Sequence, residues 1–134
     1  LGTDGTSSNN NLDMLEEVNL AAMLHKVNEL DPMAVPAGTA LKMGTEYGAL
    51  AAGFKNVGKI AAGFKADITL FNMQGPAWYP RHDIVSLLVY AANSSSVDTV
   101  ICDGRVLMEK NELKTLDEER IIFEANRCAE RLVK

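Results

Sequence analysis

The sequence predicts an α/β chain in which two helices lead, about four short strands follow with one helix set among them, and a last helix closes the chain. Two observations carry this. Apolar residues recur at helical spacing near the start and again over residues 116–134, whereas residues 56–108 hold short runs of β-branched and aromatic residues broken by glycine. The pair Asp103-Gly104, set between two such runs, is a two-residue turn of the kind that closes a hairpin.

Residues 1–11 are rich in Gly, Ser, Thr and Asn and read as a loop. The first helix is expected from Leu12 to Leu30, capped by Asn10 or Asn11, with Asp13, Glu16 and Glu17 where the helix dipole favours anions. Leu15, Val18, Ala22 and the stretch Leu20–Leu24 give it a wide apolar face that expects cover on more than one side. Asp31-Pro32 ends it, because a residue before proline is pushed out of the α region. The second helix is expected over Pro36–Ala52, opening on a proline and closing before Gly53. Val57–Ile60 and Ala66–Phe71 read as strands, Ile84–Asn93 as a short buried helix, Val97–Cys102 and Arg105–Met108 as the hairpin, and Leu116–Lys134 as the closing helix. No internal repeat and no low-complexity tract is present. The inventory is odd for a free-standing domain, since the first two helices have no obvious partner strands, and missing context is the natural explanation.

Composition excludes several classes of partner. A hydrophobic fraction of 47% with 23% charged residues is that of an ordinary globular chain, and a net charge of −5 is too small for disorder. Thirteen Lys+Arg against 18 Asp+Glu leave no basic excess for nucleic acid. No apolar run approaches the roughly 20 residues that span a bilayer, and the first residues lack the charged and apolar regions of a signal peptide. Cys102 and Cys128 form no C-x-x-C pair and read as reduced thiols, so a cytoplasmic setting is expected.

The sharpest chemical feature is Asp4 in the stretch Leu1–Met14. By itself, an Asp in a loop rich in Gly, Ser and Asn is a turn former or a helix cap. The stretch is no EF-hand, because the positions that need glycine and glutamate hold Asn9 and Leu15. It is no phosphate loop, because no Gly-Lys-Ser/Thr follows its glycines. Histidine occurs only at His25, inside the first helix, and at His82, which opens the later one; both read as structural residues rather than metal ligands. The six methionines, Met14, Met23, Met33, Met43, Met73 and Met108, read as core gap fillers. Trp78 and Tyr79, before Pro80, suit either an interface or the anchor of a surface loop.

Five segments in register give these residues a family setting. Gly2-Thr3-Asp4-Gly5, with Ser8-Asn9-Asn10 and Asp13-Met14, resembles the end of the eighth barrel strand in the chlorohydrolase and nucleoside-deaminase branch of the amidohydrolase superfamily. Asp31-Pro32 with Ala40-Leu41-Lys42-Met43-Gly44-Thr45 resembles the family's next helix, although Tyr47 stands where the family commonly has Asn. Val57–Ile68 resembles the segment that enters the small β-domain, and His82–Ala92 resembles the following helix, with Ile84 in place of a usual proline. Val97–Val106, around Asp103-Gly104-Arg105, resembles the closing hairpin.

The resemblance implies the last segment of a metal-dependent (β/α)8 barrel, the C-terminal part of a small composite β-sandwich domain, and a terminal helix. Residues 1–55 would end the barrel, residues 56–110 would form the β-rich unit with its inserted helix, and residues 111–134 the terminal helix. It implies an active site at the C-terminal ends of the barrel strands, with Asp4 as metal ligand and as acceptor of a proton from the attacking water. Ser8 and Asn9 would orient that loop or meet substrate, caps and turns being the commoner role for such residues. The parent enzyme would bind a divalent metal, zinc first, and hydrolyse C–N or C–Cl bonds of a small heterocyclic substrate. An adenosine derivative such as S-adenosylhomocysteine or methylthioadenosine leads. One carboxylate and two scattered imidazoles do not make a three-ligand zinc site, so this chain alone is expected to be an inactive C-terminal fragment without metal. A homo-oligomer is the expected assembly. The alternative is a non-catalytic binding or oligomerisation module built from the same helices and sheet.

Overall fold

The computed structural model describes residues 1–133. Helix α1 spans Met14–Glu29. It starts two residues later than expected, and Asp13 rather than Asn10 or Asn11 caps it. The Asp13 carboxylate accepts the N–H groups of Leu15 and Glu16 at 2.9 and 3.3 Å, satisfying two donors that the helix leaves orphaned. Asn11 is instead drawn into a turn by the Asn9 side-chain oxygen Oδ1, which accepts its N–H at 3.1 Å.

The expected second helix is two. Helix α2 spans Ala37–Gly44, α3 spans Glu46–Ala51, and Thr45 between them leaves the helical region at φ −127°, ψ −96°. Its hydroxyl donates to the Leu41 carbonyl at 2.8 Å, a back-bond that bends helices. Gly44 lies so close to α1 that a Cβ there would meet Val18 Cγ2 at 2.6 Å. Beyond the break, α3 runs against Gly58, where a Cβ would come within 2.8 Å of Glu46 Cα. That close approach, and the positive φ of 92° at Gly58 and 82° at Gly63, make the expected strand Val57–Ile60 a loop.

The sheet holds β1 (Ile68–Phe71), β2 (Val97–Cys102), β3 (Arg105–Glu109) and β4 (Glu112–Leu113), in that order and antiparallel throughout. Asp103 and Gly104 have φ of 49° and 78°, the type I′ signature that matches strand twist. Lys110 and Asn111 repeat it at 52° and 64° and close a second hairpin that was not foreseen, because no glycine marks it. The described residues hold one sheet, so no sandwich is seen. Leu1–Asp4 form no strand: no neighbouring strand pairs with them, and the Leu1 amino group instead donates to the Met43 carbonyl at 3.2 Å.

Helix α4 spans Ile84–Tyr90, with Ile84 at the first helical position that suits proline but does not require it. Asp83 caps α4 through the Val85 N–H and the Ser86 hydroxyl, at 3.0 and 2.6 Å. The core lies where α1, α2 and α4 meet, at Val18, Ala22, Ala37, Ala40 and Val89. Its small side chains let the helix backbones approach closely, and Asn19 ties α1 to the end of α4 through the Val89 carbonyl at 2.9 Å. Trp78 is 1% exposed, donates its indole N–H to Ser96 at 3.2 Å and tilts against Phe71, so it anchors the 76–78 turn to the sheet. Tyr79 is exposed and carries the Arg81 guanidinium over its ring.

Helix α5, Glu118–Leu132, is capped by Asp117 and buries none of its residues. The expectation that the methionines fill the core is corrected. Met14, Met23 and Met33 are exposed and the other three half-buried, so none lies in the buried core. The accessible surface is 9695 Å², whereas a folded monomer of this mass exposes about 6,900 Å². Leu20, Met23, Leu24 and Val27 on α1 and Ile121, Ile122 and Phe123 on α5 account for part of that excess.

Candidate functional site

Asp4 lies in the loop before α1, exposed, with a left-handed φ of 60°. Non-glycine residues adopt that region rarely, aspartate among the least reluctant. One carboxylate oxygen accepts the Gly5 N–H at 2.7 Å, and no hydrogen bond reaches the other among the described residues.

The Thr3–Asp4 peptide and the turn that follows Gly5 are pinned. The Gly5 carbonyl accepts the N–H groups of Ser8 and Asn9 at 2.9 and 3.0 Å. The Thr3 carbonyl accepts Asn9 Nδ2 at 3.1 Å, and the second hydrogen of the same amide goes to Glu17 Oε1 at 3.2 Å. Asn9 and Glu17 are half-buried. The two expected companions of Asp4 therefore behave differently. Asn9 holds the loop through its side chain, whereas Ser8 holds it through its backbone, its hydroxyl making no hydrogen bond among the described residues.

Asp13 stands at the junction of this loop and α1. Burial pushes its carboxyl up, but hydrogen bonds from Ser94 and from the Glu16 and Leu15 N–H groups outweigh that and hold it below its ordinary value. Glu17 went unrecognised as an anchor at the sequence level, where it reads as a dipole partner. The signal, a carboxylate one turn into the helix facing a returning loop, is not periodic and appears only once the loop's path is known.

Other candidates do not converge on Asp4. His25 and His82 are both exposed. Among the described residues no group of three or more His, Cys, Asp and Glu side chains could hold a metal ion. The Cys102 thiol is pushed up, chiefly by the Asp67 charge and then by burial, which opposes nucleophilic use. A cleft of about 410 Å³ between α1, α2 and the sheet has Leu15, Leu41, Phe71 and Val100 among its walls but not Asp4. Its mainly apolar walls mark a gap between packed layers rather than a reaction centre.

Comparison with known proteins gives this loop its family. The Amidohydrolase family profile matches residues 1–107, and the chain belongs to that family. It is 59% identical over 134 residues to the 5-methylthioadenosine/S-adenosylhomocysteine deaminase of Dictyoglomus thermophilum, covering 100% of this chain and 32% of that protein. The zinc-bound crystal structure of an adenosine deaminase from Xanthomonas campestris superposes with a TM-score of 0.94 at 35% identity, over 97% of this chain and 30% of that one. The zinc complex of atrazine chlorohydrolase TrzN from Arthrobacter aurescens TC1 gives a TM-score of 0.84 at 26% identity, over 92% of this chain and 28% of that one. The chain thus spans about a third of the length of the curated relatives it matches.

Proposed function

We propose that these 134 residues serve a hydrolase that deaminates the adenine ring of 5-methylthioadenosine or S-adenosylhomocysteine, with Asp4 as its proton-carrying carboxylate. The observation that carries the reading is the 59% identity to such a deaminase over an alignment that spans the whole chain. In the reaction, water adds to the ring carbon that bears the amino group, the C–N bond breaks and ammonia leaves. A carboxylate with one oxygen fixed by a backbone N–H and the other free suits the transfer of the water's proton to the departing nitrogen. The chlorohydrolase relative supports a coarser version, hydrolysis of a C–N or C–Cl bond of a heterocyclic ring.

A zinc ion belongs to the same reading, supported by the zinc-bound neighbours. A catalytic zinc site needs about three protein ligands, and among the described residues no group of three or more His, Cys, Asp or Glu side chains could hold a metal ion. They do not by themselves fit the metal. The division into a barrel end at 1–55, a β-rich unit at 56–110 and a terminal helix belongs to the same proposal. So does a reducing, cytoplasmic setting, which the free, exposed Cys102 and Cys128 suit.

The experiment is ammonia release from S-adenosylhomocysteine by a polypeptide of the relatives' length that carries this sequence. Turnover is expected, with a loss of about 10²–10⁴-fold in kcat for Asp4→Asn and no change in Tm. An unimpaired Asp4→Asn enzyme removes the catalytic role. The 134 residues alone are expected to release no ammonia.

One observation favours a second reading, a non-catalytic oligomerisation module: the apolar faces of α1 and α5 are open. It predicts a stable homo-oligomer of the 134-residue chain by sedimentation. Homo-oligomerisation of the whole enzyme is compatible with either reading.

A further inference from the structure

We infer that Glu17 is a positioning residue for the Asp4 loop, acting through the Asn9 side-chain amide. The inference rests on the reading of Asp4 as the working carboxylate, but the loop geometry it concerns is measurable without catalysis. The Asn9 amide has two hydrogens, and each has one partner: the Thr3 carbonyl at 3.1 Å and Glu17 Oε1 at 3.2 Å. The Thr3 carbonyl belongs to the peptide that joins Thr3 to Asp4. Holding its oxygen fixes the peptide plane from which the φ of Asp4 is measured, the unfavourable +60°. Glu17 sits on α1, whose neighbouring turn carries the buried core residues Val18, Ala21 and Ala22, so its carboxylate is a fixed point against the helix bundle. The order of action is Glu17 to Asn9, Asn9 to Thr3, and the Thr3 peptide to Asp4.

Glu16 provides the internal contrast. It accepts from the Asn11 side chain, which among the described residues makes no hydrogen bond to the Thr3–Asp4 peptide. The bland account of Glu17 is a favourable charge in the first turn of α1. The two accounts separate on one substitution. Glu17→Gln removes the charge but keeps an oxygen that accepts from Asn9, whereas Glu17→Ala removes both.

The test is NMR on a selectively labelled polypeptide of the relatives' length that carries this sequence, reading exchange of the Asn9 side-chain amide and of the Ser8 and Asn9 backbone amides, with the φ-dependent coupling of Asp4. Glu17→Ala is expected to speed Asn9 side-chain exchange roughly tenfold, the order that loss of one hydrogen bond gives, and to average the Asp4 coupling. The amides of Thr99 and Val100 in the sheet are expected to stay unchanged. Glu17→Gln is expected to restore both readouts, and Glu16→Ala to leave them alone. Glu17→Gln behaving like Glu17→Ala overturns the proposal in favour of the dipole account. A Glu17→Ala chain with wild-type exchange and coupling overturns it outright. If Glu17→Ala melts α1, Asn9→Asp decides instead: it places a carboxylate opposite Glu17, and it must loosen Asp4 while the α1 amides stay protected. A retained anchor with a fully active Asp4→Asn enzyme would sink the catalytic reading and leave the positioning intact.

Discussion

Asp4-Gly5 and Asp103-Gly104 are the same dipeptide, with the aspartate in the same left-handed region at φ 60° and 49°. Their surroundings make them different devices. At Asp103 both turn residues have positive φ, two flanking strands supply the ladder, and the carboxylate is paired with Lys65 at 3.0 Å. The Asp103 N–H is taken by Asp67 at 2.6 Å. At Asp4 only the aspartate is left-handed, no strand flanks it, and no cation neutralises the carboxylate among the described residues. Its conformation is held instead by the side-chain amide of Asn9 and by backbone bonds to Gly5. A turn that the sheet enforces can spend its carboxylate on structure. A loop held by other residues leaves its carboxylate free for chemistry.

Substitutions can break this contrast, the largest effect being at the glycines. Gly104→Ala is expected to cost about 1–2 kcal/mol, since Gly104 has φ 78° and a side chain there is disfavoured even in open space. Gly5→Ala, with no positive φ and nothing within 4 Å, is expected to stay within roughly 0.5 kcal/mol. Urea midpoints of the two variants measure the difference, and equal losses would erase the distinction between the turns.

Asp13→Ala is expected to cost about 1 kcal/mol through loss of the α1 cap beside the Asp4 loop. The pH dependence gives the sign. The folded-state carboxyl lies below its ordinary 3.8, so its stabilising contribution is present in full above that value and is lost as pH falls through the lower folded value. Acid titration of the melting temperature should therefore flatten below pH 4 in Asp13→Asn, which keeps the cap but cannot titrate. Lys65→Met has the smallest expected effect. The Lys65–Asp103 pair is exposed on both sides, and the hairpin should keep its Tm with or without added salt.

Much of the chain was legible as sequence because the signals were local. The hairpin at Asp103-Gly104 stands within a residue of the expected bounds, and the closing helix starts at Glu118, two residues after the expected Leu116, with its expected last residue, Lys134, outside the described residues. Errors fell where a distant neighbour decided. The second helix breaks at Thr45, between Gly44, which packs closely on α1, and Glu46, which packs closely on Gly58. Val57–Ile60 has strand-like residues but no strand to pair with. The methionines look like core residues by type, yet three are exposed and three only half-buried.

By itself the sequence determined the family setting, the helical and strand periods, and Asp4 as the residue to watch, since these depend on residue type and spacing. Only the tertiary structure decided which of the loop's polar side chains hold Asp4. It assigned that task to Asn9 and Glu17 and reduced Ser8 to a backbone donor. The physical reason is reach: a hydrogen bond needs donor and acceptor within about 3 Å. Which residues from a loop and a helix come that close follows from how α1 packs against α2 and α4, not from their order in the chain.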